Sequence, residues 1–277
     1  MKKKWIYNIL ILFFAAMFLV SGGMLAAYFI DGSQQKELYE NLSENRPTVT
    51  PRPTIGEETD LPDATEDPAP PQLVEVTDPE TGETVSLLPE FADLYVQNND
   101  IVGWMSIPGT NIDYPVMQYT EEEPDYYLNR NFEKKNSKRG CLFVRPASDV
   151  FTPSDNVTVY GHHMRDGSMF TQLKYYRKAA FRNENPYIFF DTLTELHTYE
   201  IIAVFVTTAS VGEGFGYHNF VNAKDEKAFN DFVAKCKKLA LYDTGVSAEY
   251  GDKLICLSTC EYTQVNGRLV VVAKRIA

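Results

Sequence analysis

A mostly β fold, a barrel of roughly eight strands decorated by helices, is what this 277-residue sequence predicts. Two observations carry that reading. Eight short runs rich in Val, Ile, Tyr and Phe recur between residues 101 and 273, with Gly, Pro and Asn between them. Only two or three stretches in the same region show a helical stripe. No segment repeats another, and no basic stripe of the kind a nucleic-acid binder needs is found.

The elements follow in order. Residues 88–98 resemble a short helix that leads into a strand at 101–107, closed by Pro108-Gly109. Further strands are expected at 112–117, 140–144, 157–160, 187–191, 199–208, 253–259 and 269–273, mostly antiparallel. Residues 168–176 read as a helix with Phe170, Leu173 and Tyr176 on an i, i+3, i+6 stripe. A longer helix over 224–239 opens near Asn222 as its cap and sets Phe229, Phe232, Val233 and Cys236 on one face.

Upstream of this region the composition changes twice. Lys2, Lys3 and Lys4 precede an almost wholly apolar stretch, 5–30, in which Asn8 and Ser21 are the clearly polar members. As a helix it reaches about 39 Å, more than the ~30 Å hydrocarbon core of a bilayer. Residues 1–30 therefore read as a cytoplasmic tail and membrane-spanning anchor, the lysines favouring the cytoplasmic side. The alternative is a cleaved signal peptide, for which Ser21-Gly-Gly-Met-Leu-Ala-Ala27 offers a small-x-small site. Residues 31–87 read as an acidic, proline-rich, extended tether outside the membrane; 31–90 hold 15 acidic against 3 basic side chains. The globular domain is expected over 88–277.

Four cysteines in an exported chain raise the question of disulfides. Cys256 and Cys260 lie on one strand about 13 Å apart, too far to bridge. Cys236 falls in the lysine-rich helix and Cys141 in an apolar strand. All four read as free thiols, Cys141 and Cys256 as small core residues. No spacing suits a structural metal.

Cys260 differs because it ends its strand beside polar residues. After seven intervening residues that end in the turn pair Asn266-Gly267, Arg268 opens the next strand. A hairpin would bring thiol and guanidinium to one rim, a nucleophile with an anion stabiliser beside it. Such a thiol needs a proton-transfer partner. Of the four histidines, His197 and His218 read as surface residues. His162 enters a strand-to-helix loop, a common place for functional groups, while His163 would point elsewhere.

Three separated motifs then resemble one family. Tyr160-Gly-His-His-Met-Arg-Asp-Gly-Ser-Met-Phe170, Leu257-Ser-Thr-Cys-Glu261 and Arg268-Leu-Val-Val-Val-Ala-Lys274 are similar to those of the class B sortases, cysteine transpeptidases of Gram-positive cell envelopes. Asp100-Ile-Val-Gly-Trp104, Ile112-Asp-Tyr-Pro-Val-Met-Gln118 and Tyr127-Leu-Asn-Arg-Asn-Phe132 extend the likeness over nearly all of 91–277.

The resemblance implies an eight-stranded barrel with an N-terminal helix and a long helix before the cysteine strand. It implies Cys260 as nucleophile, His162 as general acid/base and Arg268 as oxyanion support, with Leu128, Ser258 and Glu261 touching the substrate peptide. Its implied partners are surface proteins bearing a C-terminal sorting signal, a peptidoglycan precursor amine and the membrane, with no metal or organic cofactor. A pilin-polymerising relative using a lysine acceptor is the enzymatic alternative; the short tail after Lys274 leaves no room for that subclass's C-terminal span. An inert surface scaffold is the non-enzymatic one. The chain departs from the family at Cys256, where threonine is usual, and at Arg145, where an acid is frequent. Asp78-Pro-Glu-Thr-Gly82 has the x-Pro-x-Thr-Gly form of a sorting signal, but with an acid at the first position it better suits an ordinary turn between 73–77 and 84–88.

Overall fold

The computed structural model describes residues 2–44, 72–210 and 212–277. The chain divides into two compact units, Met1–Asn45 and Arg46–Ala277.

The first unit is one helix, α1 (Lys2–Glu44), long and apolar enough to cross a membrane. It continues past residue 30, where the charge run predicts extended chain. The physical reason lies in the residues themselves: 34–44 is mostly Gln, Lys, Glu and Leu, strong helix formers added to a helix already nucleated. Lys36 meets Glu40 one turn on, at 3.5 Å. Residues 45–71 of the expected tether lie outside the described residues.

In the second unit the tether reading is corrected again. Val74–Thr77 (β1) and Thr84–Leu87 (β2) form an antiparallel hairpin. Its turn is organised by the buried Asp78, whose Oδ1 accepts from the N–H groups of Glu80 (2.8 Å) and Thr81 (2.9 Å). Oδ2 accepts from the Tyr95 hydroxyl at 2.8 Å and from Asn99 Nδ2 at 3.2 Å. Gly82, at φ +75°, takes the left-handed conformation the turn requires. The segment 78–82 is thus a turn pinned to the domain through α2 (Ala92–Gln97), which follows a 3-10 turn at Pro89–Phe91.

All eight expected strands form. β3 (Ile101–Ser106), β4 (Asp113–Gln118), β5 (Leu142–Val144), β6 (Asn156–Tyr160), β7 (Tyr187–Thr192), β8 (Thr198–Thr208), β9 (Leu254–Glu261) and β10 (Gly267–Arg275) close a barrel in the order β10-β8-β7-β3-β4-β5-β6-β9. Two pairings are parallel, β4 with β5 and β6 with β9; the other six are antiparallel.

The stripe at 170, 173 and 176 belongs to a 3-10 helix, Phe170–Arg177. Spacing by threes is the period of that helix, so all three side chains face the core and are fully buried. A short α3 (Ala179–Glu184) follows it. The long helix, α4 (Glu226–Leu239), is capped by Asp225, whose side chain accepts from the Ala228 N–H at 2.8 Å. Asn222, the expected cap, instead accepts from the N–H of Asp155. α4 buries Phe229, Phe232, Val233 and Cys236 against Ile202 and Phe205 of β8, Leu254 and Cys256 of β9, and Val270 and Val272 of β10.

His197, read as a surface residue, is buried between Glu195 (2.8 Å) and Arg275 (3.1 Å), and burial pushes its pKa down. The four hydrogen bonds to Asp78, first among them that from Thr81, hold its carboxyl well below the usual range. A depressed carboxylate contributes stability that is complete above its unfolded pKa and is lost as pH falls through the native one. Asp78→Ala should therefore lower the urea midpoint at pH 7, and the gap to the parent should close only in strong acid. A pH series of denaturation curves checks this.

Candidate active site

β9 carries Cys260 near its end, and β10 returns after the turn so that Arg268 is the direct cross-strand partner of Cys260. Side chains alternate along a strand, so 256, 258 and 260 share one face with 268, 270 and 272 of β10 up to a bulge after Val272. Cys256, Val270 and Val272 lie under α4. Ser258 is covered by Tyr217, whose hydroxyl lies 2.5 Å from Ser258 Oγ. Cys260 alone of the four free thiols is not fully buried.

The other side of β9 is the parallel strand β6. Tyr160 stands opposite Ser258, and the N–H of Gly161 donates to the Ser258 carbonyl at 3.1 Å. Past that rung the chain leaves β6 through Gly161 into the loop that carries His162, on the side of β9 away from β10. Gly161 has to be glycine: a Cβ there would sit 2.5 Å from Leu142 and 2.7 Å from Phe170.

His162 Nε2 lies 2.7 Å from the carbonyl of Leu128. A carbonyl only accepts, so Nε2 carries a proton, and Nδ1 is the ring atom left to exchange one. Leu128 closes a 3-10 turn, Tyr126–Leu128, seated on Gly140; a Cβ on that glycine would meet the carbonyls of Tyr127 and Leu128 at 2.5 Å. The buried Tyr127 anchors the turn by donating to Asp100 Oδ2 at 2.5 Å and accepting from Asn98 at 2.8 Å. The loop after His162 is tied as well, with the Phe170 N–H donating to the His162 carbonyl and Arg139 paired with Asp166.

Arg268 is held by its neighbours' backbone, with Nη1 donating to Gly267 O at 2.9 Å and Asn266 O at 3.3 Å. Leu128 and Ser258 thus adjoin His162 and Cys260. Glu261 does not share the thiol's face. It is buried on the opposite one, paired with Arg177 at 2.5 Å and accepting from Thr263 twice. Burial alone would raise its pKa, but the bonds from Thr263 and Arg177 hold it below the ordinary value.

Several residues near the site have partners that the sequence does not reveal. Arg145 has its acid in Asp125, bound through Nε at 2.7 Å and Nη2 at 2.9 Å, and lies 4.9 Å over the Tyr160 ring. His218 is half-buried beside Tyr217; burial, then Arg145 and Arg268, disfavour its charged form. His163 reaches the Cys260 backbone, Nδ1 to O at 2.9 Å. A search for paired acids within short range would have missed Asp125, which stands twenty residues from Arg145.

The two β9 thiols differ physically. Cys256 is buried and its pKa pushed far up by loss of solvent, and Cys236 is pushed up to about 12. Brief exposure of the native chain to iodoacetamide should therefore alkylate Cys260 alone. Peptide mass spectrometry is expected to find 141, 236 and 256 modified only after denaturation.

With this geometry in place, comparison with known proteins gives concordant results. A family model described as the sortase domain matches residues 105–276. Sortase B of Staphylococcus aureus is 31% identical over 190 residues, 68% of this chain and 75% of that protein. Sortase B of Listeria monocytogenes is 32% identical over 189 residues, 68% and 74% of the two chains. Among solved structures, a Staphylococcus aureus sortase B–substrate complex superposes with a TM-score of 0.62 at 30% identity, covering 69% of this chain and 86% of the other.

Proposed function

The chain belongs to class B of the sortase family of transpeptidases, and from that premise we propose that it joins surface proteins to the cell wall through a thioacyl enzyme at Cys260. Cys260 Sγ attacks the carbonyl of the threonine in a C-terminal sorting signal. The thiol proton passes to His162, whose Nε2–H is already committed to Leu128, so Nδ1 is the atom that receives it. Arg268 stabilises the oxyanion as it forms. His162 then returns the proton to the departing amine, leaving the acyl group on sulfur. An amine of a peptidoglycan precursor attacks the thioester, gives up a proton and frees the thiol.

One observation carries this reading: two strand pairings converge on a single residue. β10 pairs Arg268 with Cys260, and β6, paired with β9 up to Tyr160 and Ser258, leads within two residues to His162. That a Staphylococcus aureus sortase B is solved as a substrate complex supports a substrate peptide at this rim of the barrel. Leu128 would touch that peptide, and Ser258, buried under Tyr217, would act from beneath by fixing the Tyr217 hydroxyl. Glu261, buried on the far face, would act by holding the strand end rather than by touching peptide.

α1 supports a membrane anchor, with Lys2, Lys3 and Lys4 on the cytoplasmic side and the barrel outside. Residues 31–87 would then stand between bilayer and barrel, with 72–87 part of the folded domain.

The test is cleavage of peptides of the form x-Pro-x-Thr-Gly, followed by mass spectrometry for the acyl-enzyme. Cys260→Ala should abolish both, and Cys256→Ala should keep most of the turnover. Arg268→Lys keeps the charge but loses the planar fork and should fall by about a hundredfold. A Cys256→Ala chain that folds but is as dead as Cys260→Ala would overturn the assignment.

A further inference from the structure

The parallel ladder between β6 and β9 stops one rung short of Cys260. The Ser258 carbonyl is taken by the backbone N–H of Gly161. Carbonyls two apart on an extended strand point to the same edge, so the Cys260 carbonyl also faces the β6 side. In a continuing ladder its donor would be the backbone N–H of residue 163. β6 has already ended at Tyr160, however, and the chain has turned into the loop that carries His162.

The missing rung is supplied by the side chain of that same residue. His163 Nδ1 lies 2.9 Å from the Cys260 carbonyl, which only accepts, so Nδ1 is the donor. The ring is held edge-on by Tyr262 at 5.2 Å, and the Tyr262 hydroxyl donates back to the His163 carbonyl at 3.3 Å. A bridge between His163 and Met169 fixes the loop behind it. The two chain segments are thus clasped on either side of the thiol.

We propose that His163 is a positioning residue for the transfer reaction. It holds Cys260 in register with His162, and by making the rung with a side chain it frees the backbone to leave the ladder and turn His162 toward Leu128. The inference rests on Cys260 being the nucleophile.

The two stand or fall separately in one experiment on the full chain in detergent, using fluorogenic peptides of the form x-Pro-x-Thr-Gly. Asparagine places an amide N–H near the position of imidazole Nδ1, whereas leucine has no donor. His163→Leu should lower kcat by about tenfold or more, with KM within about twofold, because a small misplacement of reacting groups is costly. His163→Asn should recover to within about threefold of the parent. A merely structural role would not distinguish these two once circular dichroism shows both folded; equal kcat for both, at any level, overturns the proposal. Should the leucine variant fail to fold, glutamine, whose amide reaches the Nε2 position instead, takes its place. Retained cleavage in Cys260→Ala would sink the underlying reading. If the parent cleaves none of the peptides, nitrogen NMR of the native chain decides: His163 protonated on Nδ1 supports the clasp, and a bare Nδ1 overturns it.

Discussion

The parallel pairing of β6 with β9 is the constraint on which the site depends. These strands are far apart in sequence, and their pairing closes the barrel between its N-terminal and C-terminal halves. Closure removes exposed edges, so each strand is held on both sides and its register is fixed. Register matters because a one-residue slip would turn Cys260 to the far face and replace it with Glu261. The pairing also decides where the loop after Tyr160 begins, and with it where His162 stands. A hairpin alone gives Cys260 and Arg268; only closure adds the histidine.

Along the outer face of β9 the cover changes residue by residue. Leu254 and Cys256 lie under α4, Ser258 lies under Tyr217, and Cys260 lies beyond both. Two thiols on one strand face therefore differ through what packs above them. Burial raises the thiol pKa of Cys256 despite a hydrogen bond with Asn156, and so disfavours its thiolate. α4 thus covers the lower part of this face and leaves its rim, with Cys260 opposite Arg268, less enclosed.

Much of this was legible beforehand because the informative signals are local. Runs of β-branched and aromatic residues mark all eight strands, and Asn266-Gly267 marks the turn that pairs Cys260 with Arg268. The errors are equally physical. Spacing by threes at Phe170, Leu173 and Tyr176 was the period of a 3-10 helix, close enough to 3.6 to pass for an α-helix over so short a stretch. Charge density suggested extended chain at 31–44, but a helix already nucleated propagates through good helix formers. The turn at 78–82 is legible, but its attachment to the domain is not, because the anchors Tyr95 and Asn99 lie beyond it in sequence. Glu261, a substrate contact by the family resemblance, is adjacent to Cys260 on a strand and so faces the other way.

His163 shows most clearly what sequence reasoning lacked. Beside His162 it looked like a neighbour pointing away, and in one sense it does: adjacent side chains diverge. Its use becomes visible only when the hydrogen-bond account of β9 is completed carbonyl by carbonyl. Ser258 has a backbone donor, Cys260 does not, and a buried or half-buried carbonyl without a donor is costly enough that one is nearly always found. The donor comes from the same residue that the ladder would have used, through its ring instead of its main chain. A β-ladder that ends at a reactive residue faces two demands: to keep the strand in place, and to let the partner chain leave so that other groups can approach. Placing two histidines in succession meets both, since the first turns to Leu128 while the second keeps the rung.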